Sequence, residues 1–136
     1  MKPAIGDRVE PLTVRATLND TLLFSAATFN AHRIHVDRES ARTEGFDSAV
    51  VQAHLHGVWF SHAALSFGGD SARLARITWK NLHPLCADST ATIEGTVSGV
   101  AESATGFVVD LDLVERDQAG HVIAESMVTI ETSDRD

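Results

Sequence analysis

Apolar and polar positions change period part way along the chain. From Arg73 onward they alternate in twos, with Ala91, Ile93, Gly95 and Val97 set against Thr92, Glu94 and Thr96, then Val109, Leu111 and Leu113 against Asp110 and Asp112. A period of two is that of a pleated strand with one face buried. The pattern predicts strands over 73–82, 89–100, 106–116 and 121–132. Ser98-Gly99 leading to Ser103-Ala104-Thr105-Gly106, and Asp117-Gln118-Ala119-Gly120, carry the turn chemistry of antiparallel hairpins. Asp110, Asp112 and Glu115 are assigned to the wet face of their strand.

Before Arg73 the reading is helical. Val51, Leu55, Val58, Trp59, His62, Ala63 and Leu65 keep the stretch 51–67 largely apolar up to Gly68-Gly69, which predicts a long, mostly buried helix. Trp59, Phe60 and Phe67 are expected to pack into the core. Thr21 to Thr28 suits a short helix, and Asp37 can cap a second one through Arg38–Arg42, closed by Gly45. A meandering antiparallel sheet with one helix long enough to cross it is an α+β arrangement in which the sheet wraps the helix. The hotdog fold has this layout, and periodicity alone leaves other α+β rolls open.

Bulk properties narrow the function. A chain of 136 residues is expected to form one domain, 1–136, and to bury roughly two thirds of its unfolded surface. With 43% hydrophobic and 22% charged residues it lies away from the disordered class. Nineteen acidic against eleven basic residues give a net charge of -8, which disfavours nucleic acid and anionic membranes as partners. A phosphate-bearing ligand would need a local basic patch, for which Arg33, Arg38, Arg42, Arg73, Arg76 and Lys80 are the candidates. Met1–Asp7 lacks the apolar run of a signal peptide and no later stretch has the length of a membrane span, so a cytoplasmic location is expected. The single cysteine, Cys86, excludes an internal disulfide and suits a small core residue.

Histidine is the feature that points to chemistry. Of seven in the chain, His32, His35, His54 and His56 cluster around the loop and the start of the long helix. Imidazole titrates near neutrality, so one held in a pocket can take a proton and return it. The helix start near Gln52-Ala53-His54 offers free backbone N–H groups and the positive end of the helix dipole, where a thioester carbonyl becoming an enolate could sit. His54 and His56 stand two apart and point about 200° away from each other, so at most one faces a cleft there, and His54 is favoured. The four histidines lack the spacing of a zinc site, and no metal is expected. Asn30 can hold a water or close an Asx turn. His32 and Arg33 suit solvation or simple pairing with Asp37, and Arg33 also suits a contact to a ligand phosphate.

The run Leu23-Phe24-Ser25-Ala26-Ala27-Thr28-Phe29-Asn30-Ala31-His32-Arg33-Ile34-His35-Val36-Asp37, followed by Glu44-Gly45-Phe46 and Val50-Val51, resembles the MaoC-like hydratases and their hydroxyacyl-thioester dehydratase branch. Trp79-Lys80-Asn81-Leu82-His83-Pro84-Leu85 through Ala87-Asp88 resembles the strand and Pro-Leu bend of that branch. The resemblance spans most of the chain and implies a single hotdog fold. In the wider family the active segment reads Asp-x-Asn-Pro-x-His. Its His falls on His35 and its Asp on Asn30, an asparagine that cannot act as an acid or base near neutral pH. The branch's His-Gly-Pro at the start of the long helix falls on Gln52-Ala53-His54.

The resemblance implies an acyl-thioester hydro-lyase that interconverts a 2-enoyl thioester and its (R)-3-hydroxy form. His35 is then the acid or base, Asn30 positions water, and His32 stands in for the missing proton-transfer capacity. Arg33, Gln52, Ala53 and His54 are the substrate-binding candidates, with backbone N–H groups near Ala53 and His54 polarising the carbonyl. Coenzyme A or an acyl carrier protein carries the substrate, and no metal or redox cofactor is called for. A homodimer is the default, with pairing to a related hotdog chain as the exception. Two rivals stand beside this: a non-catalytic subunit that completes a partner's site, and a thioesterase using Asp47 or Asp70.

Overall fold

Capping chemistry sets the helices of the computed structural model, which describes residues 2–133. α1 (Leu18–Thr28) opens with a reciprocal capping box: the Thr17 hydroxyl accepts from the Asp20 N–H, and the Asp20 carboxylate accepts from the Thr17 N–H. It ends at Phe29, in the left-handed region at φ 56°. After a 3-10 turn over Arg33–His35, the Asp37 carboxylate accepts from the Glu39 and Ser40 N–H groups and starts α2 (Arg38–Thr43). α3 (Ala53–Gly68) is the expected long helix.

Alternation builds the sheet. β1 (Arg8–Arg15), β2 (Arg73–Asn81), β3 (Thr90–Ser103), β4 (Gly106–Asp117) and β5 (Val122–Ser133) form one antiparallel sheet in the order β1-β3-β4-β5-β2. β2 to β5 match the predicted strands closely. Ser98-Gly99 does not end β3: the strand runs on through a register shift between Val97 and Gly99, and the turn falls after Ser103.

β1 has no counterpart in the sequence reading. Its register shifts between Val9 and Leu12, around Pro11, so Val9 and Val14 are both buried although they stand five apart. A bulge of this kind, with proline on an edge strand, erases the period-two signature.

α3 crosses the inner face of the sheet. Phe60, Ala63 and Ala64 are buried on it and join one core with Ile93, Leu111, Leu113, Val128 and Ile130. Trp59 and Phe67 pack against that core half-buried. An antiparallel sheet wrapped around one long helix makes this an α+β hotdog fold. Among the described residues no helix is long and apolar enough to cross a membrane.

The same alternation corrects one assignment. Asp110 and Asp112 are exposed, whereas Glu115 is 0% exposed. Position 115 has the parity of Val109, Leu111 and Leu113, which are also buried, so the pleat turns its side chain inward.

Candidate active site

His35 closes the 3-10 turn and is 8% exposed. Its Nδ1 donates to the Val50 carbonyl at 2.7 Å. A carbonyl can only accept, so this bond fixes a proton on Nδ1, and in the neutral ring Nε2 is then the nitrogen with the lone pair. The Val50 N–H donates to the Ile34 carbonyl at 2.9 Å, and the two contacts lock the turn to the segment leading into α3. On the far side of that segment, Val51 donates to Leu85 and Ala87 to Ala49, while Val50 bridges Cys86, which is half-buried.

The start of α3 is held from the sheet. Trp79 on β2 donates its indole N–H to the Ala53 carbonyl at 3.1 Å. Its ring lies so close to the helix that a Cβ at Gly57 would stand 2.8 Å from it. Gln52, just ahead of the helix, makes no side-chain capping bond. The first-turn N–H groups therefore receive no side-chain acceptor from position 52, and Ala53 borders an adjoining cleft.

That cleft has a volume of about 310 Å³ and is bordered by His35, Phe46, Ala53, His56, Leu82 and His83 among others. His56 stands three residues after Ala53, on the same side of the helix. Its Nδ1 lies 2.7 Å from Oε2 of Glu115, and both side chains are buried. Glu115 Oε1 is also buried and has no hydrogen-bond partner among the described residues. The Trp59 ring meets His56 edge-on at 5.3 Å between centroids.

The other residues singled out in the sequence lie apart from this cleft. Asn30 accepts the His32 N–H through Oδ1 at 3.3 Å, which is the Asx-turn arrangement. The His32 ring is exposed, with Nε2 3.5 Å from Glu44, and it also meets His35 edge-on at 6.0 Å. Arg33 is exposed and pairs with Asp37 at 2.8 Å. The Ser40 hydroxyl and N–H, then the Arg33 guanidinium and the Glu39 N–H, outweigh desolvation and hold the Asp37 carboxyl below the ordinary aspartate value.

At the helix start, neither Gln52 nor His54 borders this cleft. Gln52 is fully buried and turned to α1, where Nε2 donates to the Thr21 carbonyl at 2.6 Å and the Ser25 hydroxyl at 2.8 Å. His54 is exposed and lies edge-on to Trp79, with centroids 5.8 Å apart. His56, not His54, borders the cleft, because the helix starts at Ala53 and residues three apart share a face. The signal that could have found Glu115 was strand parity; for His56 it was helix phase.

Asp47 and Asp70 are exposed and neither borders the cleft. Arg38 pairs with Asp88, Arg73 with Glu131, and Arg42 donates to the Asp47 carbonyl.

Residues 4–87 match the family described as hydroxyacyl-thioester dehydratase type 2. No curated protein matches the chain in sequence. Among solved structures, the (R)-hydratase from A. caviae involved in PHA biosynthesis is similar with a TM-score of 0.86 at 18% identity, over 95% of this chain and 96% of that one. A chain of the ChsH1–ChsH2 complex from Mycobacterium tuberculosis gives 0.85 at 19% identity, over 95% and 98%. The MaoC-like dehydratase from Rhodospirillum rubrum gives 0.80 at 19% identity, over 98% and 94%. At these identities the structural likeness is one of fold.

Proposed function

The chain belongs to the hydroxyacyl-thioester dehydratase type 2 family, and from that premise we propose that it adds water to the C2=C3 bond of a 2-enoyl thioester and removes it from the (R)-3-hydroxy product. The observation that carries this reading is the dress of His35. Its Nδ1 is committed to Val50, which leaves Nε2 for the chemistry, and the ring borders the same cleft as Ala53 at the start of α3.

Hydration needs two things of such a cleft: a base for the water and donors for the oxyanion that forms on the thioester carbonyl. Nε2 of His35 takes the proton from water as its oxygen bonds to C3. The Ala53 N–H, aided by the helix dipole, stabilises the enolate oxygen. In this reading Asn30 and His32 shape the loop and do not touch the reacting atoms, and Gln52 ties α1 to α3. The R configuration is supported by the A. caviae (R)-hydratase. Coenzyme A or an acyl carrier protein bears the acyl group, and two copies of the chain pair as a homodimer.

A second reading, a chain that completes the site of a related partner, draws on the turn-bound Asn30 and on the two-chain ChsH1–ChsH2 neighbour. One experiment separates the two. The chain is purified alone and the conjugated enoyl-thioester absorbance is followed with short, branched and bulky enoyl-CoAs. Loss of absorbance with formation of a 3-hydroxyacyl thioester supports hydration. Tight binding without turnover supports the partner reading, and release of free thiol without hydration rejects both in favour of thioester cleavage.

A further inference from the structure

Adding water across C2=C3 moves two protons: one leaves the water and one arrives at C2. On the hydratase reading, from which this inference follows, His35 accounts for the first. The second group must border the same cleft, carry a proton, and be backed by something that stabilises its charge.

We propose that His56, backed by Glu115, is the second proton-transfer residue of this site, giving its proton to C2 in hydration and taking it from C2 in dehydration. The two imidazoles are dressed oppositely. His35 faces a neutral carbonyl through Nδ1, which suits a neutral base, whereas His56 faces a carboxylate, which suits an imidazolium. Differently dressed titratable groups on one cleft are the arrangement that divides acid from base.

Three further observations single out His56. Glu115 is an acidic side chain buried on the inner face of β4, and His56 is its only hydrogen-bond partner among the described residues. An ionised carboxylate is costly to bury unless a positive partner matches it, and strand packing alone would be better served by an apolar residue. His56 stands on the same helix face as Ala53, so a carbonyl held at the Ala53 N–H brings C2 toward the His56 ring. Trp59 abuts the ring edge-on and limits its rotation. His83, the third imidazole bordering the cleft, is exposed, and no side-chain hydrogen bond orients it among the described residues.

The proton count balances. The water oxygen bonds to C3 while His35 Nε2 takes one water proton. The C2=C3 electron pair moves onto C2 and the thioester carbonyl, and the His56 Nε2 proton passes to C2. His35 ends as imidazolium and His56 neutral, and proton transfer through solvent restores both. No oxidant or reductant is involved.

The test compares wild type, His56→Gln and Glu115→Gln. Hydration of crotonyl-CoA is measured, together with deuterium uptake at C2 of (R)-3-hydroxybutyryl-CoA in heavy water. Circular dichroism and crotonyl-CoA binding report the fold. His56→Gln is expected to lower kcat at least about 100-fold, with KM within about threefold and C2 exchange lost in parallel. Glu115→Gln keeps the shape and removes the charge, so it is expected to lower kcat about tenfold or more while binding holds. A folded His56→Gln with kcat within about threefold of wild type overturns the proposal. Should that variant not fold, an unchanged kcat in Glu115→Gln overturns it and the expected loss supports it. If instead the wild type is inert toward crotonyl-CoA and longer enoyl-CoAs, the hydratase reading itself falls and this one with it.

Discussion

His35 donates through Nδ1 to the carbonyl of Val50, and Val50 donates its own N–H to Ile34, so one residue pins the imidazole and begins the approach to α3. The bond is buried, and its loss should show in stability apart from any effect on chemistry. His35→Ala leaves the Val50 carbonyl without its donor and is expected to cost about 1–3 kcal/mol. His35→Asn, whose amide N–H can reach the place of Nδ1, is expected to stay within about 1 kcal/mol of wild type. Urea denaturation of the two variants measures the difference.

Gly57 and Trp79 set how close the start of α3 comes to β2. A methyl at position 57 would stand 2.8 Å from the indole ring, forcing it off the Ala53 carbonyl. Gly57→Ala is therefore expected to destabilise by about 1–3 kcal/mol despite the better helix propensity of alanine. Because the shift displaces Ala53, KM for the enoyl thioester is expected to rise as well, which steady-state kinetics on the folded protein reads.

Gln52 ties the first helix to the third. Gln52→Ala leaves the Thr21 carbonyl without its buried donor and is expected to cost about 1–3 kcal/mol in thermal or chemical unfolding. If Gln52 is structural, kcat and KM of the folded fraction stay within about threefold of wild type. A selective rise in KM would return Gln52 to the substrate-binding set.

Asp37 caps α2 directly after the turn that carries His35, and its carboxyl is held below the ordinary aspartate value, chiefly by Ser40. A depressed folded value means that the ionised cap stabilises the fold above the unfolded value and that this contribution disappears as pH falls through the folded one. The melting temperatures of wild type and Asp37→Ala are thus expected to differ by a constant amount near neutrality. The difference is expected to narrow below about pH 4. Melting curves across an acid series check the sign.

Much of this architecture was legible because local and global signals agree. β3 to β5 announce themselves by alternation, α2 by Asp37, and α3 by a long apolar run ending at Gly68-Gly69. β1 was not legible, because a bulge around Pro11 takes Val9 and Val14 out of phase with each other. His35 stands out in the sequence through the histidine cluster and the resemblance of its segment. Its partner does not, since Val50 contributes a backbone carbonyl that no side-chain pattern encodes. The pairing of His56 with Glu115 spans helix and sheet across 59 residues of sequence. It becomes visible only when helix phase and strand parity are carried through together.

The most direct measurement is hydration of crotonyl-CoA by the purified chain, with the configuration of the product determined. Wild type is expected to form (R)-3-hydroxybutyryl-CoA, and His35→Asn, folded as wild type, to lose at least about 100-fold in kcat. A wild-type rate in His35→Asn, or an S product, would contradict the assignment of His35 as the base of an R-specific site.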